Sequence, residues 1–228
     1  MGIGCRIIKN FTRPAPELVN QFSGMPVANI DDNMGRIAAV DTQISRIAPE
    51  GSLVGTAFTV RVPQGDNLMF HAAMDLAKPG DVIMIDAGGF ENRAIFGELM
   101  ATYCKIRGIN GIVVDGAIRD RDEIAALKGF QVFARSATPN GPYKNGPGEI
   151  NVPVVIGGKI VHPGDIVVGD GDGVIIVRPD QAEKLIIATK AVEEKEAGIK
   201  KHIVEDGTYI RPWVEEKLTS IGCEIKDC

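Results

Sequence analysis

The feature that most constrains the fold is a series of short runs rich in Val and Ile, each bounded by Gly, Pro or Asp. The run between Gly111 and Asp115, for example, is continuously apolar. Strands that are covered on both faces have this pattern, because neither face is exposed to water. The predicted strands are 54–62, 81–86, 111–115, 130–135, 153–156, 165–168 and 173–177.

Segments with apolar residues at helical spacing alternate with these strands. One begins near Asp66, a candidate N-cap, and another ends at Gly108, because Gly readily adopts the left-handed conformation that terminates helices. The predicted helices are 67–77, 98–107, 120–127, 180–203 and 212–220. This order predicts an α/β domain over residues 1–178 and a helical extension over residues 179–228.

The extension is highly charged and has little apolar stripe, as in the run Glu193-Glu194-Lys195-Glu196. A helix of that kind usually packs on a neighbouring surface. We therefore expect the extension to lie against a neighbouring subunit of an oligomer.

Composition excludes several classes of function. The 228 residues suffice for one large domain, and 44% apolar and 24% charged residues are typical of soluble globular proteins. The net charge of −5 and the lack of a basic stretch argue against a nucleic-acid partner. No apolar run approaches the roughly 20 residues that span a bilayer, and the N-terminus lacks a signal-peptide pattern. Cys5, Cys104, Cys223 and Cys228 are scattered, so we expect reduced thiols and a cytoplasmic protein without a membrane partner.

The start of the helix predicted at 98–107 is one candidate binding element. A Gly-Gly pair follows the strand predicted at 81–86, and Gly97 opens the helix. Glycine lets a ligand approach the backbone closely, and the first-turn amides of Leu99 and Met100 could hold a carboxylate. Because helix starts are common, a plain loop before a helix is the favoured interpretation of this spacing taken alone.

Arg119 and Asp120 form a second candidate, just after the strand predicted at 111–115. Gly116 suggests a tight turn at the carboxyl edge of the sheet, where α/β proteins usually bind ligands. Arg119 offers a planar fork to a carboxylate or an enolate oxygen, and Asp120 offers a hard oxygen ligand to Mg²⁺ or Mn²⁺. A surface salt bridge or a helix cap at Asp120 is the structural alternative.

Glu98 adds a second carboxylate, with twenty residues between it and Arg119. If both lie at the same edge of the sheet, Glu98 and Asp120 make an acidic pair beside one Arg. Such a pair recruits an octahedral cation that keeps several of its waters, one of which could transfer protons.

This arrangement resembles the class II pyruvate aldolases that act on 4-hydroxy-4-methyl-2-oxoglutarate and 4-carboxy-4-hydroxy-2-oxoadipate. Those enzymes carry an acidic residue, twenty residues, Arg-Asp, two residues, and then Glu or Asp; here the pattern reads Glu98, Arg119-Asp120 and Glu123. Close aldolase relatives often have Asp where this chain has Glu98. Other matching elements are Gly65-Asp66-Asn67, Lys78-Pro79-Gly80-Asp81, Gly97-Glu98-Leu99-Met100-Ala101-Thr102, Asp115-Gly116, Val152-Pro153-Val154, Pro163-Gly164-Asp165 and Asp172-Gly173-Val174.

The resemblance implies a swivelling β/β/α fold, assembled as a homotrimer or homohexamer with active sites between subunits. It implies that Asp120 holds Mg²⁺ or Mn²⁺, mostly through waters, with Glu98 nearby as a second metal-site and catalytic residue. It also implies that Arg119 and the Gly97–Met100 segment, through the amides of Leu99 and Met100, bind the pyruvyl group.

Two further positions follow from the resemblance. Asn67 matches a pocket residue, and Glu196 is the best match for a glutamate on the C-terminal helix that reaches a neighbour's site. The implied reaction is retro-aldol cleavage of a 4-hydroxy-2-oxo di- or tricarboxylic acid to pyruvate and a second 2-oxo acid, as in the degradation of aromatic compounds. Oxaloacetate decarboxylation is the expected side activity, since the same electron sink serves it.

Two other functions remain open. The superfamily also contains the regulators of ribonuclease E activity A, so a noncatalytic binding protein of that type is one alternative. A dedicated oxaloacetate decarboxylase is the other. The regulators lack the full combination of Glu98, Arg119 and Asp120, so its presence favours catalysis.

Three features have simpler interpretations. The segment Gly169–Gly173 predicts a turn between two strands, because Asp-Gly is a strong hairpin signal. His71 lies on an apolar helix and reads as a partly buried packing residue, with a catalytic role as the less favoured hypothesis. The turn-rich loop 139–148 either edges the active site as a lid or simply connects two elements.

Overall fold

A computed structural model of the chain describes residues 4–48 and 50–226. Four parallel strands, β3 to β6, form the centre of a nine-stranded sheet in the order β1-β7-β3-β4-β5-β6-β2, and the hairpin β10–β11 pairs with β3. A separate antiparallel pair consists of β8 and β9. The strands are β1 (Cys5–Ile7), β2 (Ser45–Arg46), β3 (Leu53–Arg61), β4 (Asp81–Ala94), β5 (Gly111–Ile118), β6 (Gln131–Ala137), β7 (Gly148–Ile150), β8 (Val154–Ile156), β9 (Lys159–Val161), β10 (Ile166–Gly169) and β11 (Val174–Val177).

Helices connect the parallel strands: α3 follows β3, α4 follows β4 and α5 follows β5. This connectivity places the starts of these three helices at the carboxyl edge of the sheet, where open α/β sheets bind ligands. The helices are α1 (Pro16–Val19), α2 (Val27–Asp32), α3 (Leu68–Leu76), α4 (Glu98–Ile106), α5 (Arg121–Ala125), α6 (Ala182–Asp206) and α7 (Pro212–Ser220).

The two faces of the central sheet are covered by different layers. Because side chains alternate along a strand, Ile83 and Ile85 of β4 face one way and Val82 and Met84 the other. The first pair belongs to the apolar cluster that includes α3 and α4, and the second to the cluster that includes β8 and β9. The layers are therefore helix, sheet and small sheet, which confirms the predicted α/β class and β/β/α arrangement.

A third apolar cluster lies around the hairpin β10–β11. It joins residues near α1 and α2, such as Phe22 and Ile30, to the start of α6. The hairpin turn predicted at Gly169–Gly173 is confirmed, with the Asp170 amide donating to the Gly173 carbonyl at 3.0 Å. The Asp170 carboxylate also accepts a hydrogen bond from the Val27 amide at the start of α2.

The main correction concerns β4 and β5, which run further than predicted. We expected a strand ending at 86, but β4 continues to Ala94 through two irregularities in its pairing with β5. Gly88 and Gly89 lie inside this strand with φ of 65° and 68°, a conformation that glycine adopts without strain. Gly116 likewise does not end β5, because its missing side chain lets the Phe90 carbonyl of β4 pack closely against it.

The chain divides into two compact units, one ending at Thr189 and one beginning at Lys190. The first unit includes the buried start of α6, where Leu185 and Ile186 join the third cluster. The second unit exposes large apolar side chains, among them Trp213. The domain limits expected at 178 and 179 and the packing of the extension on a neighbouring subunit stay predictions; residues 1–3 and 227–228, including Cys228, lie outside the described residues.

Among the described helices, none is both long enough and apolar enough to cross a membrane.

Candidate functional site

A cavity of about 360 Å³ opens at the carboxyl edge of the sheet, where the starts of α3, α4 and α5 meet. It brings together most of the residues that the sequence singled out, including six of the predicted substrate-binding and catalytic positions. Its lining consists of Asn67, His71, Phe96, Gly97, Leu99, Met100, Arg119, Asp120, Gly141, Pro142 and Lys144.

The Asp120 carboxylate is aimed at the first turn of α4. Its Oδ2 accepts a hydrogen bond of 3.1 Å from the Glu98 amide and lies 3.6 Å from Nε of Arg119. Asp120 has φ 54° and ψ 47°, the left-handed conformation, which only a few per cent of residues other than glycine adopt. Such backbone strain persists where the surrounding structure enforces it, often at functional sites.

Gly97 makes this approach possible. A Cβ at this position would overlap the Asp120 carboxylate and come within 2.9 Å of Cγ of Arg119. The backbone of Gly97 is extended, with φ −135° and ψ −165°, so the need for glycine comes from the neighbouring side chains and not from the backbone angles.

The amides of Leu99 and Met100 are the remaining donors at the start of α4. The first-turn amides of a helix have no intrahelical carbonyl to bond, and Asp120 already occupies the amide of Glu98. Together with the positive end of the helix dipole, these two amides suit a ligand carboxylate. The Leu99 side chain is exposed and Met100 is partly buried.

The Glu98 side chain does not line the cavity. It is partly buried and accepts a hydrogen bond of 2.6 Å from Oγ1 of Thr102, one turn further along α4. Only the backbone of Glu98 is tied to Asp120. The metal-binding and catalytic roles given to the Glu98 carboxylate therefore stay predictions.

A metal at this site would have few protein ligands. Across residues 4–48 and 50–226, no group of three or more His, Cys, Asp and Glu side chains is arranged to hold an ion. The Asp120 carboxylate is 41% exposed and supplies hard oxygen, which fits Mg²⁺ or Mn²⁺ that keeps most of its waters. The same donor set does not fit a closed zinc site, which needs about four nitrogen or sulfur ligands.

The loop 139–148 forms one wall of the cavity and is fastened at several points. Arg93 donates to the Gly141 carbonyl at 2.9 Å and lies over the ring of Tyr143. Asp66 accepts hydrogen bonds from the amides of Asn145 and Gly146, at 2.6 and 3.0 Å. Of the two predicted roles, the edge of the site is the one that the position of this loop supports.

His71 and Lys144 also line the cavity, and sequence patterns offered little sign of either. Burial lowers the pKa of His71, the positive charge of Lys144 lowers it further, and Asp75 opposes the shift. The lowered pKa favours the neutral form of the His71 imidazole. The sequence did offer one signal for His71: it lies four residues after Asn67, a predicted pocket residue, and residues at that spacing share a helix face.

Glu196 lies on the exposed surface of α6, in the second compact unit. Its predicted role at the site of a neighbouring subunit stays a prediction.

A second cavity, of about 600 Å³, lies beside the start of α6. Its wall is mainly apolar and basic, with Ile37, Ile160 and Arg178 among its residues, and Asp180 is its one carboxylate in the described residues. Because it lacks the opposed Arg, carboxylate and helix amides of the smaller cavity, we place the chemistry in the smaller one.

Comparison with known proteins identifies the family of this chain. Residues 27–176 match the family model described as "RraA-like: Aldolase/RraA". The chain belongs to the RraA-like family. A relative from Halalkalibacterium halodurans, named "Putative 4-hydroxy-4-methyl-2-oxoglutarate aldolase", is 37% identical over 202 residues, which cover 89% of this chain and 96% of the relative.

Solved structures of RraA-like proteins share the fold. RraAS2 from Streptomyces coelicolor, described as an unusual member of the RNase ES inhibitor RraA family, superposes with a TM-score of 0.75 at 27% identity, covering 84% of this chain and all (100%) of that one. The RNA-processing inhibitor RraA from Thermus thermophilis superposes with a TM-score of 0.62 at 27% identity, covering 67% and 92%. The RraA-like resemblance stated from the sequence is thereby confirmed.

Proposed function

We propose that this RraA-like protein is a divalent-metal-dependent carbon–carbon lyase. Its substrate would be a 4-hydroxy-2-oxo acid with an additional carboxylate, such as 4-hydroxy-4-methyl-2-oxoglutarate or 4-carboxy-4-hydroxy-2-oxoadipate, and its products pyruvate and a second 2-oxo acid. The observation that carries the proposal is the single cavity shared by Arg119, Asp120 and the first turn of α4. The name of the Halalkalibacterium relative supports the same activity.

The amides of Leu99 and Met100 would bind the C1 carboxylate, since they lie at the positive end of α4. This contact would place the 2-oxo group beside Arg119. A base removes the proton of the C4 hydroxyl, and C4 becomes the carbonyl carbon of the second 2-oxo acid as the C3–C4 bond breaks. The electron pair of that bond forms the enolate of pyruvate, with negative charge on the 2-oxo oxygen, and protonation of C3 then releases pyruvate. Arg119 would stabilise that charge, and charge that appears only as the reaction proceeds is where stabilisation accelerates it.

Asp120 is the residue that would hold the cation, with water molecules completing its coordination and Glu98 nearby. A bound Mg²⁺ or Mn²⁺ supplies additional positive charge at the enolate. Asp120 would also keep Arg119 and the start of α4 in register, through its contacts with both. Because loss of carbon dioxide from oxaloacetate also leaves pyruvate enolate, oxaloacetate decarboxylation is the expected second activity.

The test is pyruvate release from 4-hydroxy-4-methyl-2-oxoglutarate and from oxaloacetate, measured with and without Mg²⁺. Arg119→Ala should reduce kcat/KM by at least about 100-fold, the usual cost of removing one preorganised group that stabilises developing charge. Arg121→Ala is the matched control, because it removes the same charge from an exposed position nearby.

Near-normal turnover of Arg119→Ala would contradict the proposal. A protein that decarboxylates oxaloacetate but cleaves no 4-hydroxy-2-oxo acid would instead be the dedicated decarboxylase. The remaining alternative is a noncatalytic inhibitor, because the names of the two RraA structures refer to inhibitors. If no substrate yields pyruvate at saturating Mg²⁺, this alternative is favoured.

A further inference from the structure

Two residues that line the cavity each carry a buried polar atom without a hydrogen-bond partner in the described chain: Oδ1 of Asn67 and Nε2 of His71. Asn67 is 2% exposed, so water reaches its side chain poorly. Buried polar groups in native proteins are nearly always paired, and each exception calls for an explanation. A ligand that binds in this cavity would explain two such atoms, because it could pair with both.

The orientation of the Asn67 amide is fixed by its other end. Nδ2 donates to the Ile95 carbonyl at 2.8 Å and lies 3.7 Å from Sδ of Met100. Rotating the amide by half a turn would set its oxygen against the Ile95 carbonyl, placing two acceptors together. The unpaired atom of Asn67 is therefore an acceptor that lacks a donor.

His71 offers the complementary group from the next turn. The Asn67 carbonyl accepts the His71 amide at 3.0 Å, so the two side chains lie one turn apart on the same face of α3. A neutral imidazole carries one N–H, on either nitrogen. With the proton on Nε2, the pair offers one acceptor and one donor from two residues that line the same cavity.

We propose that Asn67 and His71 bind the hydroxyl group of the substrate. The hydroxyl would donate to Oδ1 of Asn67 and accept from Nε2–H of His71. A carboxylate or a keto oxygen only accepts, so either would leave Asn67 unpaired, whereas a hydroxyl satisfies both atoms. The inference rests on the proposed function and deepens it, because it makes His71 a specificity-determining residue for 4-hydroxy-2-oxo acids.

The consequence is a difference between two substrates of the same protein. 4-Hydroxy-4-methyl-2-oxoglutarate carries the hydroxyl, and the keto form of oxaloacetate does not. A site built to hydrogen-bond a hydroxyl discriminates strongly by its presence, because an unmatched buried group is left unpaired. Loss of His71 should therefore penalise aldol cleavage more than decarboxylation.

The experiment compares His71→Leu with His71→Gln at saturating Mg²⁺. For His71→Leu, we expect the ratio of kcat/KM for cleavage to kcat/KM for decarboxylation to fall about 10- to 100-fold, the range for losing one or two hydrogen bonds. His71→Gln retains an N–H donor near the place of Nε2 and cannot serve as a base, so it should restore most of that ratio. If His71→Leu does not fold, as judged by circular dichroism, His71→Phe replaces it.

Several results would overturn the inference. Equal losses on both substrates in His71→Leu would indicate a structural role, and a ratio as low in His71→Gln as in His71→Leu would exclude the donor role. If the wild-type protein acts on oxaloacetate alone, its substrate has no hydroxyl for Asn67 and His71 to bind, and the assignment is wrong. Wild-type protein that releases no pyruvate from either substrate would overturn the proposed function itself and this assignment with it.

Discussion

At the scale of single residues, the site depends on a missing side chain as much as on charged ones. Gly97 leaves the space that the Asp120 carboxylate occupies. Gly97→Ala should therefore displace Asp120 and Arg119 and lower kcat/KM by at least about 100-fold, comparable to losing one preorganised charged group. The extended backbone at Gly97 suits alanine, so the change in the free energy of unfolding should be smaller than that in activity.

The control for this prediction is Gly198→Ala. Gly198 lies inside α6 without a positive φ, and a Cβ at this position would meet no described atom within 4 Å. The change should leave activity unaltered and stabilise the helix by roughly 0.5–1 kcal/mol. Urea unfolding and pyruvate-release kinetics measure the two effects. Full activity in Gly97→Ala would contradict the role given to this position.

His71 should make stability depend on pH. Its pKa is lowered in the folded protein, first by burial, so the unfolded chain binds more protons as pH falls below the ordinary value near 6.5. The contribution of His71 is therefore fully present above that value and is lost as pH falls. Wild-type protein should lose more stability between pH 8 and pH 5 than His71→Gln, measured by urea unfolding; parallel curves would contradict the shift.

The cysteines should differ in reactivity. Burial raises the pKa of Cys104 to about 12, with Arg107 opposing the shift, whereas Cys5 and Cys223 are exposed. Since the thiolate is the reactive form, iodoacetamide at pH 8 should label Cys5 and Cys223 well before Cys104. Peptide mass spectrometry measures the order, and early labelling of Cys104 in the folded protein would be inconsistent with its burial.

At the scale of elements, one carboxylate joins α3 to the loop 139–148. Asp66 accepts from the Leu68 amide at 2.9 Å with Oδ1 and from two loop amides with Oδ2. Asp66→Ala should cost about 2–4 kcal/mol in the free energy of unfolding, because it removes three part-buried hydrogen bonds that backbone amides donate to the buried Asp66 carboxylate. Exposed Asp122→Ala is the control, and hydrogen exchange should show faster exchange at Asn145 and Gly146 in the Asp66 variant alone.

Element by element, the sequence was most informative where periodicity was strong. The strands β3, β5 and β6 and the helices α3 and α4 begin within two residues of their predicted starts, and Gly108 follows α4 with φ 78° as predicted. The continuation of β4 could not be predicted, because two consecutive glycines usually indicate the end of a strand when the partner strand is unknown. The short strands β1, β2, β7 and β9 exist through pairing with distant residues, and local patterns carry no such information.

At the scale of the whole molecule, the cavity was predictable because the order of elements fixes which loops meet. Strands running in parallel bring the segments after β3, β4 and β5 to one edge, so Asn67, Gly97 and Arg119 share a cavity although they are distant in sequence. His71 and Lys144 were not predicted as site residues, because an apolar helix face and a turn-rich loop do not reveal which side meets a cavity. The direction of the Glu98 side chain, toward Thr102, also depends on local packing.

Assembly is the remaining prediction at this scale. The second compact unit exposes Val204, Ile210 and Trp213, at 75%, 83% and 62%. Exposed apolar side chains of this size mark interaction surfaces. The resemblance to the class II pyruvate aldolases implies a trimer or hexamer, so we expect the full chain to sediment as one of these. Ile210→Glu combined with Trp213→Glu should shift it toward smaller species in analytical ultracentrifugation, and an unchanged distribution would place the interface elsewhere.

The cap that Asp120 places on α4 has a consequence for how cation and anion recognition can be separated. One carboxylate lines the cavity and accepts a hydrogen bond from the first turn of α4. If that turn binds the substrate as proposed, any replacement of Asp120 should disturb two affinities at once. In Asp120 variants, the affinities for Mg²⁺ and for pyruvate, each measured by titration, should fall together. Altering the preference for one ion without changing the affinity for the other would require substitutions at flanking positions instead.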